Sequence, residues 1–135
     1  MVDVAVETFG GLHIAFNNAG VFMVAPFSEF TEDMAFMIFD INLKSLVFCF
    51  KYQIPVMAKS GNKGSIIVDS SAMASHVTAL PSAMGCGVYA ASKAGGNMLM
   101  KYAAIEGGPS GVRVNSVAPG HVATPIYGPM THDQL

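Results

Sequence analysis

Three short apolar runs, each ending in a cluster of small polar residues, constrain this chain most. They are Leu12–Phe16 running into Asn17-Asn18-Ala19-Gly20, Ser65–Asp69 into Ser70-Ser71, and Val112–Val117 into Ala118-Pro119-Gly120. Runs of this length and composition suit strands buried in a parallel sheet. Parallel neighbours need long crossovers, and both intervening stretches carry helical patterns. Thr31 caps the first, with Glu32 and Asp33 against the positive end of the helix dipole. The pattern predicts a helix from about 32 to 58, with Phe36, Phe39, Leu43, Leu46, Val47 and Phe50 on one broad face. Pro55 is expected to bend or end it. A second helix is predicted from about 88 to 106, stopped by Gly107-Gly108-Pro109. Gly95 and Gly96 inside it cost about 1 kcal/mol each relative to alanine, so close packing against another backbone is expected there. Met1–Phe9 reads either as a strand or as the last turns of a helix, broken by Gly10-Gly11, and 72–87 reads as a loop rich in Gly, Ser and Ala.

Strand, helix, strand, helix, strand predicts an α/β fold: a partial Rossmann-like, doubly wound parallel sheet of three core strands with flanking helices. The 135 residues are expected to form one truncated domain of that type. Apolar residues make up 52% and charged residues only 12%, half the usual charged share, so helices buried on several sides, as in an oligomer, are expected. A net charge of −2 without a basic cluster argues against nucleic acid as a partner. The long charge-free stretches carry Asn17, Asn18 and Pro26, or are dense in Ser, Gly and Pro, so no membrane span is expected. The absence of a basic start and cleavage site points to the cytoplasm. Cys49 and Cys86 read as buried thiols in a reducing compartment, and no residue spacing suggests a metal site.

Ligands in open α/β sheets bind beyond the carboxyl ends of the strands, where all three polar clusters fall. Tyr89 and Lys93 follow in Tyr89-Ala90-Ala91-Ser92-Lys93, four residues apart and so on one helix face. A free tyrosine, with a pKa of about 10, is a poor acid or base at neutral pH. A nearby ammonium favours its phenolate, so the pair is suited to moving a proton to or from a substrate oxygen.

Taken together, Asn17-Asn18-Ala19-Gly20, Asn42 in Ile41-Asn42-Leu43, Ser70-Ser71, Tyr89 to Lys93, Arg113-Val114-Asn115 and Pro119-Gly120-His121-Val122-Ala123-Thr124 resemble the short-chain dehydrogenase/reductase family in order and spacing. The resemblance covers nearly the whole chain. It implies an NAD(P)-dependent oxidoreductase that interconverts a small-molecule alcohol and a ketone. Tyr89 would be the acid/base. Lys93 would assist it and hold the nicotinamide ribose, and Ser71 would hydrogen-bond the substrate oxygen. Asn42 would hold a water linking Lys93 to solvent; the alternative is a residue that only caps or kinks its helix. Asn18, Ala19 and Gly20 would lie against the adenosine side of an NAD or NADP cofactor. Pro119, Gly120, Val122 and Thr124 would contact its nicotinamide end. Ser70 and Ser75 compete with Ser71. The two long helices would form a dimer interface, giving a homodimer or homotetramer when the protein is complete.

Two departures from the family qualify this. Its opening strand and glycine-rich turn, T-G-x-x-x-G-x-G, have no counterpart, nor does its final segment, so the chain corresponds to the catalytic half of a usual member. It is expected to be poorly stable alone and to bind dinucleotide weakly or not at all. A competing expectation is a catalytically inactive relative that acts only through subunit pairing. The stretch from Ser71 to Tyr89 is also longer than usual around 76–85, where a substrate-pocket wall is expected.

Overall fold

The structure, a computed structural model, describes residues 1–59, 61, 63–77 and 85–122. Its strands β1 (Ile14–Asn17), β2 (Ser65–Asp69) and β3 (Arg113–Val117) form a parallel sheet in the order β1-β2-β3. Ile14 is in register with Ser65, and Ser65 with Arg113. The polar strand ends therefore line up along one edge, as the alternation of strands and helices predicts.

The opening segment resolves as a helix, α1 (Val2–Phe9). Gly10 ends it in the left-handed conformation at φ 77°, its N–H donating to the Val6 carbonyl. The predicted 32–58 helix is three pieces: α2 (Glu32–Phe39), a π-helical turn (Asp40–Lys44) and α3 (Ser45–Lys59). The Thr31 hydroxyl accepts from the Met34 N–H, as the capping pattern predicts. Pro55 does not end α3; the helix runs on to Lys59, its last turn anchored by fully buried Met57.

The second long helix, α4, spans Gly87–Gly107. Gly95 and Gly96 meet side chains rather than another backbone. A Cβ on Gly95 would lie 3.0 Å from Leu43 Cδ1, and one on Gly96 3.1 Å from Leu46 Cδ1. The missing side chains thus let leucines from the π turn and α3 press onto α4.

The core lies on one face of the sheet. Leu46, Phe50 and Met57 of α3 and Ala103 of α4 pack with Ile66, Val68, Val112 and Val114. Two-residue periodicity turns the alternate positions to the other face, where Ile14, Phe16 and Val117 are exposed. Burial pushes the Cys49 and Cys86 thiols above the ordinary cysteine value. Among the described residues no helix is long and apolar enough to cross a membrane.

Candidate active site

The strand ends open into a cleft of about 590 Å³, within the ordinary size of a small-molecule site. Three segments build its walls: Asn18–Phe22 after β1, Asp69–Met73 at the end of β2, and Pro119–Val122 after β3, with Tyr89 and Lys93 presented by α4. Backbone pairing continues past the strands, since Ser70 N–H donates to Val117 O at 2.8 Å and Ala72 N–H to Pro119 O at 2.9 Å. Those bonds hold the second and third walls side by side. Gly85, at φ 83°, lies so close to Ala25 that a Cβ would sit 2.7 Å from its carbonyl carbon. Only glycine allows that approach, which ties the segment after β1 to the start of α4.

Tyr89 packs edge-on against Phe22, with ring centroids 4.8 Å apart at 90°. Lys93, one turn on, is 5% exposed, and its Nζ stands 5.8 Å from the Tyr89 ring centroid. A buried ammonium needs compensation. Lys93 Nζ donates to the Asp69 carbonyl at 2.7 Å and pairs with Asp69 Oδ2 at 3.3 Å.

Asn42 sits in the π turn, the kind of helix irregularity that recurs at functional sites. Its side chain is buried and acts as a bracket. Oδ1 accepts from Val21 N–H at 2.8 Å, while Nδ2 donates to Val21 O at 2.9 Å and to Ser92 Oγ at 3.1 Å. Ser92 Oγ in turn donates to Tyr89 O at 2.7 Å. One amide therefore joins the segment after β1 to the turn of α4 that carries Tyr89. A Cβ on Gly20 would lie 3.4 Å from both Asn42 Oδ1 and Lys93 Nζ, so the segment passes directly over both groups.

Replacing Asn42 by alanine removes three hydrogen bonds, leaves the part-buried N–H and C=O of Val21 without these partners and takes one of the two bonds of Ser92 Oγ. The expected loss of stability is about 3 kcal/mol, read as a lowered denaturation midpoint in urea.

The serines separate by geometry. Ser71 accepts from Met73 N–H at 3.2 Å, capping the 3₁₀ turn Ala72–Ala74 and leaving its own O–H to donate elsewhere. Ser70 also lines the cleft, but its Oγ is buried and has no hydrogen-bond partner among the described residues. Ser75 is not among the residues lining the cleft; its hydroxyl lies 2.9 Å from His76 Nδ1.

Of the residues predicted from sequence, Asn18, Ala19, Gly20, Ser71, Tyr89, Lys93, Pro119, Gly120 and Val122 meet at the cleft, with Asn42 just behind it. Thr124 lies outside the described residues. Sequence reasoning missed Asp69, Phe22, Ser92, His76 and His121 as parts of the site. Asp69 was detectable as an acid at the end of an apolar strand, and Ser92 as a polar residue inside the Tyr89–Lys93 turn. It also missed the reciprocal amide pair of Asn17 and Gln53, at 3.1 and 2.8 Å, which clamps the end of β1 to α3. Among the described residues no group of three or more His, Cys, Asp or Glu side chains is placed to hold a metal ion.

Known proteins resemble this chain in sequence and fold. A family model described as enoyl-(acyl carrier protein) reductase matches residues 1–135. The 3-alpha-(or 20-beta)-hydroxysteroid dehydrogenase of Mycobacterium tuberculosis is 38% identical over 125 residues, covering 93% of this chain and 46% of the relative. Cyclohexanol dehydrogenase of an Acinetobacter species is 36% identical over 126 residues, covering 93% and 48%. The crystal structure of a short-chain type dehydrogenase/reductase from Mycobacterium marinum superposes with a TM-score of 0.86 at 30% identity, covering 94% of this chain and 49% of that one. The chain therefore spans about half the length of these relatives. On this match along all its residues, the chain belongs to the short-chain dehydrogenase/reductase family.

Proposed function

We propose that the chain carries the proton-transfer half of an NAD(P)-dependent oxidoreductase that interconverts a secondary alcohol and a ketone. The observation that carries this reading is the placement of Tyr89, Lys93 and Ser71 on one cleft at the carboxyl end of a parallel sheet. In the direction of oxidation, Ser71 donates its free O–H to the substrate oxygen and holds it beside Tyr89. Tyr89 takes the hydroxyl proton, and the Lys93 ammonium steadies the phenolate that accepts it. A nicotinamide cofactor held beside these residues would supply the chemistry that complements the proton transfer, as acceptor of hydride from the carbinol carbon or as its donor in reverse.

The residues present fit the ribose–nicotinamide end of such a cofactor. Lys93 has a third N–H beyond the two directed at Asp69, available to a ribose hydroxyl. Gly20 keeps the space beside that ammonium clear of a side chain. Asn18 and Ala19 would hold the adenosine side, and Pro119, Gly120, Val122 and Thr124 the nicotinamide side.

The names of two relatives supply the first substrates to try. Cyclohexanol and a hydroxysteroid, each with NAD⁺ or NADP⁺ at millimolar concentration, are expected to generate the absorbance of reduced nicotinamide. Absence of reduction in every combination, with dinucleotide bound, contradicts the proposal.

A second reading is favoured by one observation: the helices expose large apolar side chains. Phe36, Met37, Phe48, Tyr52, Met98, Tyr102 and Ile105 are all exposed. In this reading the chain acts by pairing with another subunit through α2, α3 and α4. Such a surface also suits a homodimer or homotetramer of the active protein.

A further inference from the structure

We propose that Asp69 is a positioning residue: as the counter-ion of Lys93, it sets the pH at which Tyr89 ionises. The inference rests on the proposed roles of Tyr89 and Lys93 and goes beyond them by adding a third charged group.

The geometry is economical, because one residue supplies both acceptors. The Asp69 carbonyl and carboxylate lie 2.7 and 3.3 Å from Lys93 Nζ. With these two directions fixed, the third N–H of the ammonium is aimed by default. The side chains are 6% and 27% exposed, so water screens the pair poorly. The ammonium, 5.8 Å from the centroid of the Tyr89 ring, pulls the phenol toward ionisation. The carboxylate attached to that ammonium opposes the pull.

Among the described residues, the other charged and titratable groups near the pair are these. Asp69 is the acidic residue among the described lining of the cleft, whose other titratable members are Tyr89, Lys93, His76 and His121. Behind it the π turn contributes Asp40 and Lys44, which pair with each other on the surface at 2.9 Å. The segment Asn18–Phe22 carries no titratable group.

Asp69→Asn keeps an oxygen for Lys93 and removes only the charge. The midpoint for Tyr89 ionisation is expected to fall by about one pH unit. Asp69→Glu, which retains the charge, should leave it near that of the unaltered chain. The measurement is an ultraviolet titration of phenolate absorbance in the 135-residue chain. The Tyr89→Phe variant is subtracted to isolate one of the four tyrosines. Circular dichroism confirms that each variant is folded, and Asp69→Ser serves as the neutral variant if Asp69→Asn is not.

A neutral variant whose Tyr89 midpoint matches that of the unaltered chain overturns the inference. So does an Asp69→Glu shift as large as the neutral one. The titration needs no turnover, so the two readings fail separately. An unmoved midpoint with alcohol oxidation intact defeats only the role of Asp69. A moved midpoint without oxidation defeats only the proposed reaction.

Discussion

Tyr89→Phe is expected to lower the rate of alcohol oxidation by about a thousandfold, the middle of the range for losing a positioned acid or base. Phenylalanine keeps the ring that packs edge-on against Phe22 at 4.8 Å, and it leaves Ser92 bonded to the main-chain carbonyl of residue 89. Only the hydroxyl goes. Fold and dinucleotide affinity should change little, because Lys93 remains anchored on Asp69 at 2.7 and 3.3 Å. Initial rates at the millimolar dinucleotide that a weakly binding chain requires, compared with circular dichroism of the same samples, read both effects. A variant retaining more than a tenth of the activity would remove Tyr89 from the proton transfer.

The second large effect concerns solution behaviour. β1 is the outer strand of the sheet, and among the described residues nothing pairs with its free side. Ile14 is 70% exposed and Phe16 57% on the face opposite the core. An apolar strand with an unpaired edge is a template for another chain. The 135-residue chain is therefore expected to self-associate through β1 at micromolar concentration. Phe16→Lys should weaken that association about a hundredfold, equivalent to about 3 kcal/mol for one large apolar side chain. Sedimentation velocity across a concentration series makes the measurement. Tyr102→Glu, on the exposed side of α4, is the control that tests pairing through the helices instead. If Tyr102→Glu disperses the chain and Phe16→Lys does not, the helices carry the association.

The strand positions and the Tyr89–Lys93 pair were legible because they rest on local chemistry: apolar runs, polar strand ends and a fixed helical spacing. The irregular features were not. The π turn at Asp40–Lys44 adds one residue to a helical loop, which leaves the apolar pattern of Phe36 to Phe50 almost unaltered. Its consequence, an inward Asn42 bonded to Val21 and Ser92, depends on two segments distant in sequence. Gly95 and Gly96 signalled close packing correctly, but periodicity does not tell a leucine side chain from a backbone as the partner. Asp69 was hidden for a similar reason. Whether an acid at a strand end faces solvent or an ammonium is decided by where α4 crosses the sheet.

Hydride transfer from alcohol to dinucleotide is followed through the hydrogen itself. The chain is incubated with cyclohexanol deuterated at its carbinol carbon and with millimolar NAD⁺ or NADP⁺, and the reduced dinucleotide is examined by mass spectrometry. Deuterium is expected in the dinucleotide, and is expected to be lost when Tyr89 is replaced by phenylalanine. Unlabelled or absent reduced dinucleotide, under conditions where binding is demonstrated, contradicts that hydride transfer.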